Sequence, residues 1–159
     1  MVRLGRRAFL GVFALAVLVS GAALAVETWG SVAGPIPSNF TVNGKTFQFT
    51  YIASNEAQRE AGLMNRKITN DTTMLFAWPS PGYYSFYMRD TNASLDMIWI
   101  SANGSQGRVV YIKTDAPPCI GVPTCPLYTP TSPANYVIEA RAGFVSTNGV
   151  TLGTELGFA

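Results

Sequence analysis

The sequence predicts an α+β fold that is mainly β: a compact antiparallel sheet, barrel-like or sandwich-like, with one short helix. Three observations carry this expectation. Short runs rich in aromatic and β-branched residues recur along the chain, each bounded by Gly, Pro or Asn. Asn43-Gly44 separates two alternating runs, the strongest short-range hairpin signal available. Only Ser54 to Arg66 combines helical spacing with a cap.

The chain begins with a positive segment containing Arg3, Arg6 and Arg7, followed by the apolar run AFLGVFALAVLVSGAALA. With Ala23-Leu24-Ala25 as a small-x-small cleavage signature, residues 1–25 read as an export signal cut after Ala25. RRAFL resembles the twin-arginine pattern that exports folded proteins. At about 18 residues the apolar run is also at the lower edge of what spans a bilayer, so retention as a membrane anchor is the alternative. Residues 26–38, VETWGSVAGPIPS, hold prolines and glycines without a sustained period and read as an extended arm or linker. A single β-rich domain is expected over residues 39–159.

Within that domain FTVNGKTFQFTYIA gives the hairpin. Asn55 or Ser54 caps the helix, and with Asn55 as cap, Gln58 falls at the capping-box position. Ala57, Ala61 and Met64 share one helix face, and Gly62 weakens the end. MLFAW is a short apolar strand expected to end at Pro79. YYSFYM and LDMIWI read as further strands, and RVVYIKT returns antiparallel to LDMIWI through the turn SANGSQG. Residues 116–135 carry six prolines and are expected to be irregular and exposed. YVIEA is another strand, and the tail GFVSTNGVTLGTELGF offers a helical turn or loop and a last strand.

Charge excludes one function class. The chain has 11 Lys and Arg against 9 Asp and Glu, but three arginines lie in the signal, leaving 8 − 9 = −1 beyond it. No basic patch remains to hold a phosphate backbone, so nucleic acid is not an expected partner. Charged side chains are scarce, which leaves solubility to other groups. Four Asn-x-Ser/Thr triplets, at Asn39, Asn70, Asn92 and Asn103, lie at expected turns or strand edges and read as glycosylation sites; ordinary turn residues are the alternative.

Cys119 and Cys125 are the only cysteines, in PPCIGVPTCP. In an exported chain they read as a local disulfide worth roughly 2 kcal/mol. No metal or other cofactor is expected: the chain has no histidine to complete a zinc set with this pair.

Five ordered segments carry a resemblance: GLMNR (Gly62 to Arg66), MLFAW (Met74 to Trp78), FYMRDT (Phe86 to Thr91), LDMIWI (Leu95 to Ile100) and YVIEARAG (Tyr136 to Gly143). Their order and spacing resemble the domain-of-unknown-function family number 192, small exported or membrane-anchored proteins of bacteria and archaea. The resemblance spans roughly residues 46–156 and implies one domain, with no established biochemical activity. The chain departs from that pattern with Thr73 where the family has glycine, with Arg89-Asp90 in place of Lys-Asn, and with Ser94 in place of proline. The last change creates the Asn92 sequon.

Candidate chemistry is thin. Without histidine, no Ser-His-Asp or Cys-His arrangement can be built, and Lys45, Lys67 and Lys113 sit in no recognisable motif. No catalytic residue is assigned. Asp96 and Glu139 invite two readings: a carboxylate pair of the kind that hydrolyses glycosides, or partners of Arg66, Arg89 or Arg141 in ion pairs that fix strand order. Arg66, Arg89, Asp96 and Glu139 are therefore the candidate ion-pair or ligand site. Met64, Met74, Met88 and Met97 offer thioethers suited to Cu(I), although methionine in apolar runs is ordinarily core. Alternation puts Tyr84 and Phe86 on one side and Tyr83 and Tyr87 on the other, one side core and the other a contact face.

The expected function is a secreted or cell-surface, non-enzymatic domain that binds cell-surface components or assembles with itself through the arm by strand addition. The alternatives are a small-ligand or carbohydrate binder using the aromatic face, and a hydrolase or copper protein.

Overall fold

A computed structural model of the protein describes residues 35–159. The expected signal, residues 1–25, and residues 26–34 of the expected arm lie outside the described residues. The end of that arm does not stand away from the domain. Pro37 is buried, Ile36 packs against the core, and the Ser38 N–H donates to the carbonyl of Ala159 at 2.7 Å.

Eight strands follow in order: β1 (Asn39–Val42), β2 (Lys45–Gln48), β3 (Tyr51–Ala53), β4 (Thr73–Gly82), β5 (Leu95–Asn103), β6 (Gln106–Ala116), β7 (Ala134–Arg141) and β8 (Glu155–Phe158). Two short helices join them, α1 (Glu56–Ala61) between β3 and β4 and α2 (Phe144–Thr147) between β7 and β8. The strands make one sheet in the order β2-β1-β8-β6-β5-β7-β4-β3, antiparallel at every pair except β3–β4. The fold is thus α+β and mainly β, a sheet curled into a half-barrel.

The chain itself forces the curl. β2 and β3 are the two edges of the sheet, yet only Phe49 and Thr50 separate them. The three peptide links from Gln48 to Tyr51 reach at most ~11 Å, far short of the ~34 Å across a flat eight-stranded sheet. The seam is stitched where the edges meet. Thr50 N–H donates to the Thr73 carbonyl at 2.9 Å, and Thr73 Oγ1–H to the Gln48 carbonyl at 2.7 Å.

Strand parity divides the core. Leu75 and Ala77 of β4, Ile98 and Ile100 of β5, and Ile138 of β7 face the concave interior with Phe40 and Leu156. The alternate residues Met74, Phe76, Met97, Trp99 and Val137 build a second cluster on the other face. That second face is covered by α1 and by two irregular segments, residues 83–91 and 117–133. Met74, Met88 and Met97 are each buried within this apolar layer, the setting of core methionine.

The Asn43-Gly44 hairpin forms as the sequence predicts, with φ of 48° and 78° at the two turn residues and Val42 opposite Lys45. Gly44 suits a turn that needs positive φ at both positions. The capping box forms too: Gln58 N–H donates to Asn55 Oδ1 at 3.0 Å, and Gln58 Oε1 accepts from Asn55 N–H at 3.3 Å.

Three local expectations are corrected. The helix stops after six residues at Gly62, whose φ is 45°, and it buries none of its own side chains. Ala57 and Ala61 face solvent; α1 is held instead by the half-buried Arg59 and by Leu63 just past its end. Pro79 does not end β4, because the β4–β7 register shifts between Ala77 and Gly82 and asks no N–H of the two prolines in between. YYSFYM is not a ladder strand. It runs across the second core face and touches the proline loop at two bridges, Phe86 to Tyr128 and Arg89 to Cys119. The side alternation survives all the same: Phe86 and Met88 are buried, while Tyr83 and Tyr87 are exposed.

The proline loop is irregular but only partly exposed. Cys119 is buried beneath it, and the pair Cys119–Cys125 stands in disulfide geometry with Cα atoms 5.9 Å apart. Ile120, Val122 and Leu127 project outward from the same loop.

Candidate functional site

The two family-resembling carboxylates are separated by the sheet. In the β5–β7 ladder Asp96 lies opposite Ala140, whereas Glu139 lies opposite Met97. One residue of offset sends their side chains to opposite faces, so they form neither a catalytic pair nor a shared site. The ion-pair reading is corrected as well. Among the described residues the one side-chain ion pair is Arg108–Glu155, at 3.4 Å and exposed.

Asp96 is a structural anchor. The β5–β6 register slips between Leu95 and Met97, leaving an extra residue on β6 beside Asp115, whose φ is 48°. The Asp115 N–H, freed from the ladder, donates to Asp96 Oδ1 at 2.9 Å. Asp96 Oδ2 accepts from Gly143 N–H at 3.0 Å and Val145 N–H at 2.9 Å, capping α2. This buried carboxylate needs no arginine, because three backbone donors surround it.

Arg66 and Arg89 serve elsewhere. Arg66 donates through Nε to the Gly62 carbonyl at 2.8 Å and lies over the Tyr51 ring at 4.3 Å. Arg89 is exposed, with its guanidinium 5.5 Å from the Tyr87 ring.

Glu139 is the group that stands apart. It is 4% exposed, flanked across the ladders by Met74 and Met97, and forms no hydrogen bond or ion pair with any described residue. Burial pushes its carboxyl up to about 8 from the ordinary 4.5, and no neighbouring charge contributes. It sits in the wall of a pocket of about 240 Å³ beneath α1.

The rest of that pocket is built from three segments. Helix α1 and the turn after it bring Glu56, Arg59, Glu60, Leu63 and Met64; β4 brings Phe76 and Trp78; residues 85–91 bring Phe86, Tyr87 and Thr91. The aromatic wall is rigid. Phe86 meets Phe76 edge-on at 4.8 Å, and Tyr84 stacks on Trp78 at 4.0 Å. Arg59 Nη1 donates to the Ala77 carbonyl at 2.9 Å, and the guanidinium lies 5.2 Å from the Trp78 ring centre. These two contacts hold the arginine at the Trp78–Tyr84 end of the pocket, and there it partly offsets the rise that burial gives the Tyr84 phenol. Larger depressions of about 550 and 720 Å³ lie elsewhere, but neither holds a buried carboxylate; the buried ionisable group in the first is the Tyr136 phenol.

Of the residues singled out from sequence, Glu139 and Met64 lie in this pocket, with the aromatics Trp78, Phe86 and Tyr87 in its wall. Arg59, Leu63 and Thr91 were not singled out. The one signal for Thr91 is its place at the end of FYMRDT, where its hydroxyl donates to the Arg89 carbonyl at 3.2 Å and holds the turn. The sequons lie on several surfaces: Asn70, Asn92 and Asn103 are exposed, whereas Asn39 is half-buried in β1 with its amide donating to Ser38 Oγ at 3.2 Å.

The fold has counterparts of known structure. A crystal structure of a protein of unknown function from Novosphingobium aromaticivorans is 24% identical, covering 76% of this chain and 83% of its own, with a TM-score of 0.62. A Sinorhizobium meliloti protein that carries the provisional description of a transcription regulator is 28% identical, covering 79% of this chain and 98% of its own, also at a TM-score of 0.62. No curated protein matches the chain. The family described as uncharacterized ACR, DUF192, matches residues 39–158, from the first residue of β1 to the last of β8. The protein belongs to the DUF192 family.

Proposed function

We propose that this protein is an exported, small-ligand-binding domain whose site is the pocket beneath α1. One observation carries the reading: Glu139 is almost wholly buried as a residue and has no hydrogen-bond partner from the described chain, so its carboxyl opens only on the pocket. A carboxyl so far removed from water and without a protein partner is costly to ionise, and such groups persist at sites where a ligand supplies the missing interaction. A volume of about 240 Å³ sits below the usual range of ligand sites (~300–1,000 Å³) and sets a small ligand. The aromatic wall of Phe76, Trp78 and Phe86 supplies apolar contact area.

The test is a nuclear magnetic resonance titration of labelled protein with benzyltrimethylammonium, benzoate, glucose and N-acetylglucosamine. At least one compound is expected to move the amides of Gly62, Thr91 and Glu139 and the Trp78 indole in a saturable way. If none of the four shifts these signals, the pocket is not a ligand site.

Export and glycosylation belong to the same proposal. The apolar segment after Arg6-Arg7, a cysteine pair in disulfide geometry and three exposed sequons support them. Native mass spectrometry of protein from its own host is expected to show a mass lacking residues 1–25 and bearing discrete sugar increments. A mass equal to the whole unmodified chain overturns both. The same spectrum reads self-association through residues 26–38, for which β2, paired on one side only, is the acceptor edge.

A further inference from the structure

We propose that the pocket beneath α1 takes a small organic cation, an ammonium centre on an apolar body, with Glu139 as its counter-ion and Phe76 and Phe86 as its apolar wall. The inference rests on the pocket being a ligand site and goes further by naming the chemical class.

Charge is the first argument. The pocket lining holds three carboxyl groups, Glu56, Glu60 and Glu139, against one cation, Arg59. That cation is already engaged by the Ala77 carbonyl and the Trp78 ring, at the end away from Glu139. The elements packed around Glu139 bring it no positive group. Its ladder neighbours on β4 and β5 are Met74 and Met97, and the segment across the face contributes Phe86, Tyr87 and Thr91. Among the described residues, the ionisable groups lining the pocket beside Glu139 are therefore Glu56, Arg59 and Glu60 of α1 and the Tyr87 phenol. An anionic ligand would meet an excess of carboxylates. A cation completes the set.

Surface chemistry is the second argument. Aromatic faces and edges beside a nearly buried carboxylate are the surroundings in which organic ammonium ions bind well, through the ring quadrupole and a partly desolvated charge pair together. A hydrated metal ion is a poorer fit. Glu139 is the sole buried carboxylate there, and no group of three Cys, Asp or Glu that could hold a metal occurs among the described residues.

The weakened acidity of Glu139 supports this reading and makes it testable. A cation binds the ionised carboxylate, so binding must release the proton that burial retains near neutrality. With a carboxyl titrating at about 8, affinity for a cation of fixed charge rises about tenfold between pH 7 and pH 9. A neutral acceptor that uses the protonated acid as donor shows the opposite trend.

The experiment is isothermal titration of the full chain with benzyltrimethylammonium, whose charge does not titrate, and with benzyl alcohol and benzoate as neutral and anionic counterparts. The expected result is binding of the cation alone, tightening about tenfold from pH 7 to pH 9, and its loss in Glu139→Gln. The wild-type pH trend stands independently of whether that variant folds. Binding of benzyl alcohol or benzoate with equal or greater affinity, or a flat or falling pH trend for the cation, overturns the cation assignment and leaves the pocket a ligand site. Failure of all three to bind overturns the cation assignment, and the four-compound titration above then decides the fate of the pocket.

Discussion

Replacing Glu139 with methionine is expected to make the protein more stable at neutral pH by about 3 kcal/mol, a melting-temperature rise of roughly 10 °C. The reason is the pocket wall. A carboxyl that titrates at about 8 in the fold and near 4.5 in the unfolded chain keeps its proton only when folded. Its contribution is fully favourable below pH 4.5 and is progressively lost as pH rises, because the unfolded chain can ionise and the folded one cannot. The loss reaches up to about 5 kcal/mol once pH passes 8 and the group ionises in the fold as well. Methionine, already present on both sides at Met74 and Met97, fills the site without that liability. Guanidinium unfolding of both proteins at pH 4, 6 and 8 checks it: the two curves should converge in acid and separate with rising pH. Equal stability at every pH would mean that the carboxyl has a partner in the free protein.

Asp96→Ala is expected to act in the opposite sense and more severely, with a loss of at least about 4 kcal/mol. Three backbone N–H groups, of Asp115, Gly143 and Val145, would lose their acceptor in one step. Against a total stability of ~5–15 kcal/mol such a loss threatens the whole fold. Asp96→Asn should be intermediate, since its amide accepts at one oxygen and turns a donor toward the other N–H groups. Hydrogen exchange distinguishes this role from the Glu139 effect. The amides of Asp115, Gly143 and Val145 should lose protection in the Asp96 variants and keep it in Glu139→Met. Unchanged protection of all three in Asp96→Asn would sink the assignment.

These two carboxylates also show where the sequence could be read and where it could not. Both lie in apolar strands, so both were legible as buried groups that need an explanation. What separates them is register. Asp96 opposite Ala140 and Glu139 opposite Met97 is a fact about two strands roughly forty residues apart, and no local pattern fixes it. The hairpin at Asn43-Gly44 and the Asn55–Gln58 capping box were legible because turn and cap chemistry is settled within four residues. The length of α1 and the course of YYSFYM were not. Gly62 ends the helix to let Leu63 reach the core, and residues 83–90 exchange bonds with a proline loop some thirty to forty residues onward. The pocket inherits that difficulty, because α1, β4, β7 and the 85–91 segment meet only in the finished fold.

The strand order has a consequence for how the protein is made. β8, the last strand in the chain, is not an edge: it lies between β1 and β6 and carries the first hairpin into the sheet. Until residues 155–158 have left the ribosome, β1 and β2 have no neighbour to join, and the half-barrel cannot close. Folding of this domain therefore waits for synthesis to reach β8.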